Sequence, residues 1–147
     1  MQTAVLWLHI ISALCWLALT AAATWTYITN SGTSDPKQRL IYRAAILGRL
    51  MPWTWVGIVT ALATGTYMIV AIGDMSAITL PVIVMSAAGI LMTAIFKFMH
   101  AAPWQHLGRG IREEKWEVAE FAQGTIRSLM VISLGIGIIA LVSALYR

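Results

Sequence analysis

Three His, one Cys and 8 Met are the side chains of this sequence that could bind a transition metal. His9 stands out among them because it lies in an uncharged apolar run, 1–29, with no other group there that titrates near neutral pH. An imidazole in an apolar helix costs free energy unless it has a partner, so its presence points to a site. Two readings stand for it. Its ring can hydrogen-bond a carbonyl or hydroxyl of a neighbouring helix, or it can be a ligand to haem iron or copper. Ser12, Trp16 and Thr20 follow His9 at helical spacing and mark one slightly polar face turned to other helices.

The other soft ligands are methionines. Met85, Met92 and Met99 share a helical face with Gly89 and Phe96, the pattern of an inward-facing helix. Thioethers suit haem iron or Cu(I), and equally serve as adaptable core filler. At a rise of about 1.5 Å per residue, His9 and Met85 fall at one depth, roughly 10 Å from the same end of their helices. They are the pair expected to meet. His100 and His106 fall on the order of 20 Å or more away by the same rise. With Arg49 and Arg127 they form a basic rim, read either as loop His with snorkelling Arg or as a clamp for an anionic headgroup or a propionate.

The elements that must position these residues are legible in the composition. The chain has 147 residues, 59% apolar and 11% charged, where a soluble domain carries about 25% charge. Its solvent is therefore lipid. Four stretches, about 4–27, 53–73, 79–99 and 126–146, reach the ~20 residues that cross a bilayer core as helix. None holds an Asp or Glu; Lys97 lies at the end of the third and Arg127 at the start of the fourth. The first has no basic leader and a long apolar run, so a retained span is expected rather than a cleaved signal. Lone Cys15 allows no intrachain disulfide.

All Lys and Arg except Arg147 fall between the first and second spans, between the third and fourth, or at the adjoining ends of those two. Positive loops stay cytoplasmic, so both termini are expected on the outer, periplasmic side of a bacterial inner membrane. The net charge of +4 follows from this topology and calls for no nucleic acid. The fold expected is all-α: one transmembrane domain over 1–147, a four-helix bundle with a short amphipathic cytoplasmic helix, 111–123, before the last span. The turn-rich Ser31–Pro36 precedes a short basic helix through Arg49, and Pro52 starts or kinks the second span. Gly57, Ala61 and Gly65 recur every four residues, and Gly135 with Gly137 repeats the theme, so close helix contacts are expected there. Trp7, Trp25, Trp53, Trp55 and Trp104 suit an interfacial belt.

No span carries a carboxylate, which argues against a proton-coupled transporter using a buried acid. No Ser/His/Asp set, phosphate-binding loop or Cys pair is present. With only one deep His, the two matched His pairs of small b-type cytochromes are not reproduced.

Taken in order, Leu8-His9-Ile10-Ile11 with Trp16, Arg49-Leu50-Met51-Pro52, Gly65 and Tyr67, His100, the basic loop and the apolar last helix resemble the CopD-type membrane proteins and the related HemJ group. The resemblance covers most of the chain. It implies a four-helix bundle associated with b-type haem or with copper handling, and places His9 at the family's first-span His, a proposed haem ligand. HemJ-like proteins are linked to protoporphyrinogen oxidation, but their pattern has a Lys early in the third span. Here Leu80–Met85 has none, and Met85 is the nearest chemical substitute.

The leading expectation is a membrane electron-transfer protein with one haem b, His9 and Met85 as axial ligands, Trp16, Arg49, Arg127 and His100 near the cofactor, and redox partners in the membrane. It is not expected to be an enzyme on its own, with protoporphyrinogen oxidation the activity to test. A copper uptake or handling protein using His9, Met85, Met92 and Met99 is the alternative. A non-catalytic accessory subunit of a larger respiratory or photosynthetic complex is the third. Other membrane subunits or a second copy of the chain are the expected protein partners.

Overall fold

A computed structural model describes residues 2–29, 34–73 and 78–145. Ser31–Thr33 of the expected turn, Asp74, Tyr146 and Arg147 lie outside the described residues. The described chain forms five helices: α1 (Gln2–Ile28), α2 (Pro36–Ile72), α3 (Leu80–Ala101), α4 (Pro103–Arg112) and α5 (Trp116–Leu145). Four helical stretches are long and apolar enough to cross a membrane, with α4 continuing α3 in one of them. Less than a quarter of each apolar stretch is buried. In water that much exposed apolar surface would drive association; in acyl chains it is the ordinary outer face of a bundle.

Local chemistry sets the helix ends. Asp35 caps α2, its carboxylate accepting from the Lys37 N–H at 3.0 Å, and Pro36 occupies the first turn, where a missing N–H costs nothing. Gly73 closes α2 in the left-handed region at φ 70°. The separate basic helix expected before Pro52 does not form: α2 runs unbroken for 37 residues with Pro52 inside it. A proline removes one backbone donor, and the apolar residues on both sides keep the rest of the ladder.

The amphipathic segment also falls elsewhere than expected. The short helix is α4, 103–112, and the chain turns at 113–115 before entering α5. Glu114 takes φ 55° to make that turn. Lys115, hydrogen-bonded to Glu113 at 2.7 Å, holds that exposed carboxylate below its ordinary pKa. Gly110 is then needed for close approach: a Cβ there would lie 2.8 Å from the Ala119 backbone N and 2.9 Å from its Cβ. Backbone cannot swing aside as a side-chain end can. Gly110→Ala is expected to lower stability by about 1–3 kcal/mol, the usual cost of overpacking. Gly124→Ala, which meets open space, should not. Thermal unfolding of the two variants in one detergent checks the contrast.

α1 packs chiefly on α2, α3 on α5, and α1 also on α5. At the basic end, Arg43 of α2 donates to the Thr26 carbonyl (3.2 Å) and the Tyr27 carbonyl (3.5 Å), tying down the carbonyl end of α1. Its guanidinium also lies 5.2 Å from the Tyr27 ring centre. Lys37 sits over Trp116 at 5.1 Å, bringing α2 and α5 together. The buried side chains form one continuous cluster drawn from all five helices.

Candidate metal-binding interior

His9 points at α2. Its Nδ1 lies 3.0 Å from the Ala61 carbonyl oxygen and 3.0 Å from Thr64 Oγ1. The tautomer follows from the partners. A carbonyl can only accept, and the Thr64 hydroxyl already donates to the Thr60 carbonyl at 2.6 Å. Both oxygens therefore accept, so Nδ1 carries the hydrogen. In the neutral ring, Nε2 then presents its lone pair. A ring anchored through Nδ1–H to a carbonyl is how proteins orient an imidazole for ligation, and it is also how a helix satisfies a structural His. The 15N spectrum of the protein should show the Nδ1-protonated tautomer. Thr64→Val should preserve it, because the Ala61 carbonyl still accepts.

The small-residue stripe is the floor of this contact. A Cβ on Gly65 would stand 3.0 Å from His9 Cε1, and one on Gly57 would stand 3.4 Å from Trp16 Cβ. Gly57, Ala61 and Gly65 thus seat α1, and the polar face read from the sequence is buried against them: Ser12, Trp16 and Thr20. The hydroxyls on it cost little. Ser12, Thr20 and Thr54 each donate to a carbonyl four residues back, at 2.7, 3.0 and 3.0 Å.

The Nδ1 side of the ring takes its partners on α2, so Nε2 is the atom left for the expected pairing with Met85. A shared depth for the two is consistent with the register. A Cβ on Gly137 would meet Leu17 of α1 and Met92 of α3, so Leu17 and Met92 stand level. Seven residues back along each helix come Ile10 and Met85. Met85 is half-buried, while Met92, Phe96 and Met99 are buried as their face predicts.

What the sequence did not reveal lies nearer the basic end. Met51 of α2, Met99 of α3 and Met130 of α5 line one interior cavity with Thr20, Thr54 and Ser133. All three methionines are buried. The cavity measures about 20 Å³, room for one water or one ion. His100, assigned from sequence to the rim, has its Nδ1 2.9 Å from Met51 Sδ, and its ring packs edge-on to Trp55 at 6.1 Å. Trp55 also packs edge-on to Phe96 at 5.2 Å, so it is a wall and not only a belt residue. Trp7, Trp25 and Trp53 remain exposed. Arg49 and Arg127 are exposed as well and reach no buried site. An open groove of about 290 Å³ on α4, lined by Trp104, Gln105, Gly108, Arg109 and Arg112, adds to the basic surface.

The cavity that Met51, Met99 and Met130 line is far smaller than a haem. Ligand pockets of that order need about 300–1,000 Å³, against a cavity whose lining does not include His9 and which holds a single small occupant. Among the described residues no group of three or more His, Cys, Asp or Glu is placed to hold a metal. Any interior site must therefore rely on thioethers and lone imidazoles. Comparison of the chain with family models, with curated proteins and with solved structures gave no match.

Proposed function

We propose that this chain is a multi-pass membrane protein that handles a soft metal ion, copper as Cu(I), inside its helix bundle. One observation carries the reading: the interior space is ion-sized, and methionines from three helices are among the residues that line it. The chemistry agrees. No carboxylate lies in the spans, which disfavours hard or doubly charged ions, whereas neutral sulfur and imidazole suit a soft single charge. The distribution of Lys and Arg supports a basic end in the cytoplasm and both termini outside, in a bacterial inner membrane. His9 would then serve ions at the outer side and His100 at the inner.

The test is direct. Protein purified in mild detergent should be colourless and bind Cu(I) in a competition titration against a chromogenic chelator. A preparation that binds no Cu(I) overturns the reading.

Haem binding keeps one specific observation in its favour, the Nδ1 anchor that frees Nε2 of half-buried His9. Such a haem would lie beside α1 and α2, away from the cavity that Met51, Met99 and Met130 line. It would give a Soret band that His9→Ala abolishes.

A further inference from the structure

We propose that Met51, Met99 and Met130 form a single-ion seat for a soft monovalent cation of the Cu(I) class in the cavity they line, with the His100 imidazole behind Met51 as the group next along the path to the basic end. The inference rests on the copper-handling reading and names its site.

Methionines alone would be unremarkable core filler. Two further features separate this cluster from filler. First, Ser133 lines the same cavity at 6% exposure, and its hydroxyl makes no hydrogen bond among the described residues. Its neighbours Thr20 and Thr54 each donate within their own helices. A buried hydroxyl with no protein partner calls for an occupant. Second, the His100 Nδ1 touches a sulfur rather than an oxygen. Imidazole and thioether in contact are both ligands for a soft metal, and movement of His100 off Met51 would leave an ion held by thioethers with a nitrogen donor next to it.

Size and charge point the same way. A cavity of about 20 Å³ has room for one unhydrated ion. No charged side chain lines it. A divalent ion there would be an uncompensated double charge in low dielectric, while three polarisable sulfurs can hold a single soft charge. The helices also bring a fourth thioether onto the same α3 face: Met92, seven residues nearer the far end, buried beside Gly137. The three seat methionines come from α2, α3 and α5, so one ion would tie three spans together.

Silver ion is the probe, since it mimics Cu(I) without redox chemistry. Titrations use the full chain in detergent, with Cys15→Ala to remove the exposed thiol. In that background one Ag(I) per chain is expected. The triple variant Met51→Leu, Met99→Leu, Met130→Leu nearly conserves volume, and its affinity should fall on the order of 100-fold or more. Met68→Leu, outside the cavity lining, should leave the affinity unchanged. Should the triple variant not fold, methyl-labelled methionine answers instead. The signals of residues 51, 99 and 130 should move with the first equivalent of Ag(I), and those of Met68 and Met85 should not. Unchanged affinity in the triple variant, or shifts confined to other methionines, overturns the seat while leaving copper handling intact. A wild-type protein that binds neither Ag(I) nor Cu(I) overturns both.

Discussion

Gly57→Leu should part α1 from α2. The space above Gly57 is filled: a Cβ there already stands 3.4 Å from Trp16 Cβ and 3.5 Å from the Ser12 carbonyl oxygen. A leucine adds three more carbons where only the Trp16 and Ser12 backbone region lies. α1 cannot tilt away without cost, because α2 is its main partner and Arg43 holds its far turn through the Thr26 carbonyl. Overpacking by one or two methylenes costs about 1–3 kcal/mol, and this change lies at or beyond the upper end. It should also pull His9 off Ala61 and Thr64, two turns further along the same stripe. Gly135→Leu is the control, since a side chain there meets open space. Thermal unfolding and His9 15N shifts should change together in the first variant and in neither respect in the second.

Phe96→Ala should be nearly as damaging, for the opposite reason. Phe96 is buried between the cavity and Trp55, whose ring centre lies 5.2 Å away edge-on. Deleting a buried phenyl removes about 3–5 kcal/mol of stability through lost contacts and the void that remains. Here the void opens onto the cavity beside Met99. Ag(I) affinity should fall along with the unfolding temperature, because the sulfurs lose the wall that keeps them close. Phe96→Leu should recover most of both. A variant with lowered stability and full affinity would show that the wall does not shape the seat.

These effects separate what the residues announce from what they conceal. The spans were legible because apolar runs of that length have one use. The Ser12, Trp16 and Thr20 face was legible because helical spacing alone puts those residues together, and the α2 small-residue stripe named its own contact. The 113–115 turn was not. The short helix was expected over 111–123, yet it ends at Arg112, and Gly110 lies within it for its closeness to Ala119. The turn itself falls on Glu114, a residue type with no preference for positive φ. Pro52 misled in the same way, since a proline flanked by strong helix-forming context interrupts one bond and not the helix. Met130 could be read as a methionine able to fill a gap in a thioether ladder, whereas Met51 carried no such signal in its own neighbourhood. Only the packing of α2, α3 and α5 around one void puts them beside Met99. For Met85, the depth inferred from sequence agrees with the Gly137 register.

X-ray absorption at the copper edge of the Cu(I)-loaded protein tests the account most directly. It predicts a first shell dominated by sulfur, lost when the three seat methionines become leucine. A shell of nitrogen and oxygen alone, or a preparation that retains no copper and instead shows a haem spectrum dependent on His9, would contradict it.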